Sequence, residues 1–236
     1  MEKIITYENL RLFTYSNDRL IKGEVRGIVL SFLGLGFSDM ITEDFALAEE
    51  YAQEGIVYLV PYYNPWCWMN RDTVRCIDEI IEVLSEHYRL DSPRIVSTGV
   101  SMGGLCALVY CAHARITPVA SVTNCPVCDL VYHFGERDDL PRTLYSAFMS
   151  YDGSMEEALC SSSPLHLVSK MPRIPYTVFH CDADAAVNIE RHSARFAEAM
   201  RPSHEITLVR VANRGHGDLS PEAKAEYKQR ILAAFL

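Results

Sequence analysis

Short apolar runs recur along the chain, separated by stretches whose apolar residues return every three or four positions. The runs Gly27–Leu33, Ile56–Val60, Arg94–Thr98, Pro118–Thr123, Tyr176–His180 and Ile206–Val211 are rich in Val, Ile and Leu and almost free of charge, as in strands buried on both faces. Leu10–Tyr15 predicts a further strand and Ile4–Tyr7 a shorter one. Between the runs, Asn70–Tyr88 carries apolar residues at 74, 77, 80, 81, 84 and 88 behind an asparagine suited to cap a helix. Thr42–Gln53, Met102–His113, Asn188–Met200 and Pro221–Leu236 predict other helices, the last opening Ser220-Pro221-Glu222, a cap followed by proline at the first helical position. Strand alternating with helix predicts a mostly parallel sheet covered on both faces, and such sheets bind ligands at the carboxyl ends of their strands. Residues 125–170 break the rhythm with Gly135, Pro141, Gly153 and Pro164 and short helical pieces such as Leu140–Met149. They read as an insertion or small cap within a single domain, residues 1–236.

Composition narrows the class. The 31 acidic residues outnumber the 22 basic ones, giving a net charge of −9, and Lys and Arg form no cluster, so nucleic acid is excluded as the main partner. The start, Met1-Glu2-Lys3-Ile4-Ile5, lacks a signal-peptide pattern, and the longest apolar stretch, Gly27–Phe37, is too short to span a bilayer. A cytoplasmic protein without a membrane partner is expected, and a homo-oligomer is compatible with this composition. The eight cysteines then read as reduced thiols. Cys125-Pro126-Val127-Cys128 has the spacing of a redox pair or half a zinc site, but no second Cys/His pair stands at ligand spacing. Packing is the expectation for this pair, a thiol-redox role the alternative; neither metal nor cofactor is expected.

The chemistry centres on Gly99-Val100-Ser101-Met102-Gly103-Gly104, between the run ending at Thr98 and the helix that follows. A serine in a sharp strand-to-helix turn needs glycine two places before and after it, and Gly104 is expected to let the helix start close to the sheet. The helix N-terminus would favour an oxyanion beside Ser101. A serine nucleophile needs a histidine base and an acid to orient it, each in a loop after a later strand. Cys181-Asp182-Ala183-Asp184 follows one such strand and Gly215-His216-Gly217 the next. His216 is the candidate base; Asp182 and Asp184 both remain open as the acid. The oxyanion donors expected are the Met102 N–H and one from the loop after Gly27–Leu33.

These motifs resemble the α/β-hydrolase superfamily, whose members carry His-Gly-x-x-Asp where this chain has His180-Cys181-Asp182-Ala183-Asp184. The resemblance selects Asp184 as the acid. Leu33-Gly34-Leu35-Gly36 resembles the superfamily's His-Gly-x-Gly, which makes Leu35 the second oxyanion donor. Ser162-Ser163-Pro164-Leu165-His166, Ile174-Pro175, Val187-Asn188-Ile189 and Gly215-His216-Gly217 are similar to the catalytic domain of prolyl oligopeptidase-type enzymes and to dienelactone-hydrolase-like esterases. The likeness covers most of residues 26–236. It implies an α/β-hydrolase fold and a serine hydrolase acting on an ester, thioester or short amide, with a small-molecule or short-peptide acyl substrate. Tyr62, Tyr63, Trp66 and Trp68, in the loop after Ile56–Val60, are candidates for the substrate pocket, with buried packing as the alternative. Leu33 and Cys181 depart from the superfamily pattern and motivate a second reading, a non-catalytic binding or scaffold protein that keeps the fold.

Overall fold

The computed structural model describes residues 4–236. Its sheet has seven strands, β1 (Thr14–Ser16), β2 (Gly27–Phe32), β3 (Ile56–Pro61), β4 (Ile95–Val100), β5 (Ala120–Asn124), β6 (Tyr176–Cys181) and β7 (Ile206–Val211), in the order β1-β3-β2-β4-β5-β6-β7. Only β1 is antiparallel to its neighbour; the other pairs are parallel. From β2 the chain crosses through α1 (Ala46–Gln53) to β3 on one side, then returns through α2 (Arg71–Tyr88) to β4 on the other. Winding therefore reverses between β2 and β4. The crevice at that reversal lies between the Leu33–Gly36 loop and Ser101.

Residues alternate between two core layers, as buried strands require. Ile28, Leu30 and Phe32 pack with α2 and α3 (Met102–His113), while Val29, Val96, Val122 and Phe179 pack with the side of α8 (Pro221–Ala233). All of 102–111 in α3 is buried, which explains why that helix is apolar all round. Asn70 caps α2 through the Thr73 N–H at 3.0 Å, and Ser220 caps α8 through the Ala223 N–H at 3.2 Å.

Five expectations change. Ile4–Tyr7 is not a strand, and most of Leu10–Tyr15 is a 3-10 turn, Leu10–Leu12, before β1. Asn9 accepts the Thr6 N–H (2.8 Å) and donates to the Ile4 carbonyl (2.9 Å), curling the chain; Arg11 is drawn to buried Asp18, which also takes the Tyr7 and Tyr88 hydroxyls. α1 starts at Ala46, four residues late, because the Asp44 carboxylate is taken by the Tyr15 hydroxyl (2.7 Å) and Ile41 is held by Tyr62. The helix expected from Asn188 opens with a π-turn, Glu190–Ala194, before α7 (Arg195–Met200), and buries His192 and Ser193. α8 stops at Ala233.

Residues 125–170 hold α4 (Leu130–His133), α5 (Leu140–Phe148), α6 (Met155–Ser161) and a 3-10 stretch, Pro164–Lys170. Ser154 and Glu157 close a reciprocal capping box on α6, and the Ser-x-x-Glu spacing was its signal in the sequence. Leu140, Leu144, Leu159 and Leu167 join the α2/α3 core layer. The segment is also stitched to the loop before α2: Trp68 Nε1 donates to Thr143 Oγ1 (3.0 Å), Asn70 Nδ2 to the Ala147 carbonyl (3.0 Å) and Ser162 Oγ to the Met69 carbonyl (3.2 Å). Trp68 is 1% exposed. Trp68→Ala is expected to cost about 3–5 kcal/mol of stability in urea unfolding, as for large aromatic truncations in a core; a loss below about 1 kcal/mol would show that the indole does not anchor this segment.

Candidate active site

Ser101 adopts φ 60° and ψ −124°, a conformation costing roughly 1–3 kcal/mol that neighbouring contacts must enforce. A Cβ at Gly99 would lie 2.4 Å from the Gly103 carbonyl, and one at Gly103 would lie 2.2 Å from the Phe32 oxygen. Both positions are closed to any side chain. The tightest approach of α3 to the sheet is thus made at Gly103; Gly104 shares in it, since a Cβ there would lie 3.3 Å from the Gly99 oxygen as well as 2.8 Å from Pro126.

Hydrogen bonds continue one residue past each strand and align the loops that follow. Ser101 N–H donates to Asn124 O (3.1 Å), Cys125 N–H to Phe179 O (2.8 Å) and Asp182 N–H to Val211 O (3.0 Å). Asp184 and His216 therefore arrive at the same edge as Ser101. His216 Nδ1 meets Asp184 Oδ2 at 2.6 Å, with the imidazole 29% exposed and the carboxylate fully buried. Asp184 Oδ1 accepts the Ala186 and Val187 N–H groups at 2.8 and 2.9 Å. Burial pushes the Asp184 carboxyl up, but hydrogen bonds from His180, His216 and Val187 outweigh it and hold the group well below the usual carboxylate range. The bond to Asp184, helped by Cys125, pushes His216 up to about 9. Asp182 instead accepts the Asn213 N–H at 2.6 Å, so geometry as well as the motif separates the two aspartates. Among the described residues no hydrogen bond joins Ser101 Oγ to His216, and the Met102 and Leu35 N–H groups have no protein acceptor.

Three supports were not read from the sequence. Cys125, at φ 44°, places its thiol where it accepts the Cys181 and Gly217 N–H groups, both at 3.4 Å, beside the His216 ring. Asn124 Nδ2 donates to the Gly217 carbonyl at 3.0 Å. Tyr63 accepts the Leu33 N–H (2.5 Å) and donates to the Leu33 carbonyl (3.1 Å), while Gly36 N–H donates to Pro65 O (3.0 Å). The only signal for these was position, one residue past a strand or in the next loop.

The aromatic candidates divide accordingly. Tyr63 braces the Leu33–Gly36 loop, Tyr62 holds Ile41, and Trp68 lies in the core; Trp66 is half-buried under the Arg142 guanidinium. The pocket expected from all four is therefore not formed by Trp68, whose indole is consumed by packing and by Thr143.

Cys125 and Cys128 are both unpaired thiols, and burial pushes both up. Among the described residues, two groups of side chains bring possible metal ligands together, Cys125–His180–Asp184 and His133–Glu136–His192. In each, hydrogen bonds fix a proton on a histidine Nε2. His180 Nε2 donates to the Val187 carbonyl (3.0 Å), and His192 Nε2 donates to Glu136 (3.0 Å) because His192 Nδ1 accepts the Cys128 and Asp129 N–H groups. A protonated ring nitrogen has no lone pair to offer. In the second group burial pushes His192 down to about 4, and hydrogen bonds from His133 and His192 override burial to bring Glu136 down to about 2.

The prolyl oligopeptidase family model matches residues 69–236, which is most of the chain and includes Ser101, Asp184 and His216. The chain belongs to the prolyl oligopeptidase family. Its fold is the α/β-hydrolase fold, and it is a serine hydrolase. A propionate-bound esterase from Thermogutta terrifontis is 22% identical at a TM-score of 0.64, covering 93% of this chain and 86% of its own. A puromycin-hydrolysing peptidase from Mycobacterium tuberculosis is 17% identical at a TM-score of 0.75, covering 91% of this chain but 34% of its own; the Pyrococcus horikoshii acylaminoacyl peptidase is 16% identical at 0.68, with 90% and 37% covered. At these identities the likeness is one of fold. No curated protein sequence matches the chain. No helix among the described residues is long and apolar enough to cross a membrane.

The raised His216 value gives a testable sign. In an NMR titration the His216 ring should lose its proton well above the ordinary 6.5, near 9. Asp184→Asn removes the charge and should move that midpoint down by at least one unit; an unchanged midpoint would mean that the carboxylate does not set it.

Proposed function

We propose that this family member hydrolyses short-chain carboxylic esters, with thioesters and short amides as slower substrates. The observation that supports it most is the His216–Asp184 pair, 2.6 Å apart, brought to the same sheet edge as the strained Ser101. Ser101 Oγ attacks the acyl carbonyl as His216 Nε2 takes its proton, and Asp184 orients the ring through Nδ1 and stabilises the imidazolium. The tetrahedral oxyanion is met by the Met102 and Leu35 N–H groups, which have no protein acceptor. The proton passes to the leaving alcohol, and water then enters by the same route to release the acid and restore Ser101. The Ser101–His216 bond forms with substrate in place, since catalytic hydrogen bonds are often long without it. The propionate-bound state of the Thermogutta terrifontis esterase, which this chain matches over 93% of its length, supports a short acyl group. Residues 125–170 border the acyl site, because Cys125–Val127 follow the strand next to Ser101.

The second reading, a fold-retaining binding protein, rests on the departures at Leu33 and Cys181 from the superfamily pattern. Steady-state hydrolysis of p-nitrophenyl butyrate separates the two. The triad reading expects Ser101→Ala and His216→Ala each to lower kcat by about 10³-fold or more with KM little changed. Turnover by folded wild-type protein that survives Ser101→Ala, or no turnover at all, would remove the triad reading. For wild type, kcat/KM should climb as pH rises from 7 towards 9, because His216 must be neutral to accept the proton. A profile already flat above pH 7 would place the base elsewhere.

A further inference from the structure

Strand pairing on one side of β2 stops before the strand does. β3 pairs with β2 only as far as Leu30 with Leu59, whereas β4 follows β2 to Phe32 with Gly99. Leu33, the first residue past β2, makes no backbone hydrogen bond among the described residues. One side chain meets both of its backbone groups. The Tyr63 hydroxyl, from the loop after β3, accepts the Leu33 N–H (2.5 Å) and donates to the Leu33 carbonyl (3.1 Å). A phenol carries a single proton, so this pair of bonds fixes the direction in which the hydroxyl points.

The Leu33 carbonyl lies where β2 meets α3, since a Cβ at Gly103, in the first turn of the helix, would come within 2.9 Å of it. On the far side of Leu35, the Gly36 N–H is held by the Pro65 carbonyl (3.0 Å). The Leu35 N–H therefore stands between two anchors that both come from residues 63–65. It has no protein acceptor, and neither has the Met102 N–H that opens α3. Burial, with the Cys106 and Cys67 thiols nearby, pushes the Tyr63 phenol well above its ordinary value, so the hydroxyl keeps its proton and stays a donor.

We propose that Tyr63 is a positioning residue for transition-state binding: its hydroxyl sets the separation of the Leu35 and Met102 N–H groups, so that both reach the oxygen of the tetrahedral intermediate. The proposal rests on the triad reading and adds to it the group that shapes its anion site. It also accounts for leucine at position 33, where the superfamily carries histidine: Tyr63 grips the backbone of that residue, so its side chain is not needed to hold the loop.

Tyr63→Phe tests this by removing one oxygen while the ring stays beside Phe32, their centroids 6.3 Å apart. For p-nitrophenyl butyrate, kcat should fall about tenfold with KM little changed, a part of the roughly 10²–10³-fold that a whole oxyanion donor supplies. Butylboronic acid takes Ser101 Oγ onto boron and sets a boron hydroxyl in the oxyanion position, so its inhibition constant should rise by the same factor. The His216 ring should still titrate near 9, because neither Tyr63 bond touches the base. Tyr58→Phe, which removes a phenol bond to Ser31 on the same strand (2.9 Å), should change neither kcat nor boronate affinity. Circular dichroism and thermal unfolding verify that each variant is folded at the assay temperature. Wild-type kcat in folded Tyr63→Phe overturns the proposal. So does a lower kcat with undiminished boronate affinity, which would place the damage outside the anion site, or an equal loss in Tyr58→Phe, which would make it a general softening of β2. Turnover lost in Ser101→Ala but fully kept in Tyr63→Phe removes this proposal alone; turnover that survives Ser101→Ala, or none in wild type, removes the triad reading and this proposal with it.

Discussion

The approach of the Gly103 backbone to the Phe32 carbonyl decides where everything else at the carboxyl edge of the sheet can lie. A methyl group at Gly103 would sit 2.2 Å from that oxygen, so only glycine lets α3 start against the end of β2. With the helix pinned there, one residue must turn the chain from β4 into α3. Ser101 does so at φ 60°, which a non-glycine residue adopts only under compulsion. The side chain is thereby set at the reversal of strand order between β2 and β4, where an open sheet leaves a crevice. The Met102 N–H, first in the helix, comes from the same turn.

The remaining members arrive by extension of the sheet. Ser101 is bonded to Asn124, Cys125 to Phe179 and Asp182 to Val211, so parallel register carries alignment from one loop to the next. Cys125 and Asn124 then fasten the histidine loop through Gly217, and the Cys125 sulfur also holds the acid loop through Cys181. Buried in the space where the two loops meet, this cysteine is explained by its amide donors without redox chemistry. The departure at Cys181 is tolerated for a related reason: it ends β6 fully buried, and the turn that presents Asp184 begins after it.

Much of this was legible in the chain. Strands buried on both faces announce themselves as apolar runs, and the order Ser101, Asp184, His216 survives any detail of packing. The edges of the fold were less legible because they are decided by long-range polar contacts. Leu10–Tyr15 has the composition of a strand, but Arg11 answers to Asp18 and Asn9 curls the chain ahead of it. The aromatic loop misled in a similar way. Four large rings at a sheet edge suggest a pocket, yet Trp68 finds Thr143, 75 residues away, and Tyr63 finds the Leu33 backbone, 30 residues back. No local pattern records those partners.

The central claim is that Ser101 is the residue the fold prepares for attack. Mass mapping of a fluorophosphonate adduct tests it most directly, since the reagent bonds only to an activated hydroxyl. Trypsin should release Ile95–Arg115 as one peptide containing Ser97 and Ser101. The account predicts a single adduct, localised by fragmentation to Ser101 and absent when His216 is replaced by alanine. An adduct on any other residue, or none on the folded protein, would contradict it.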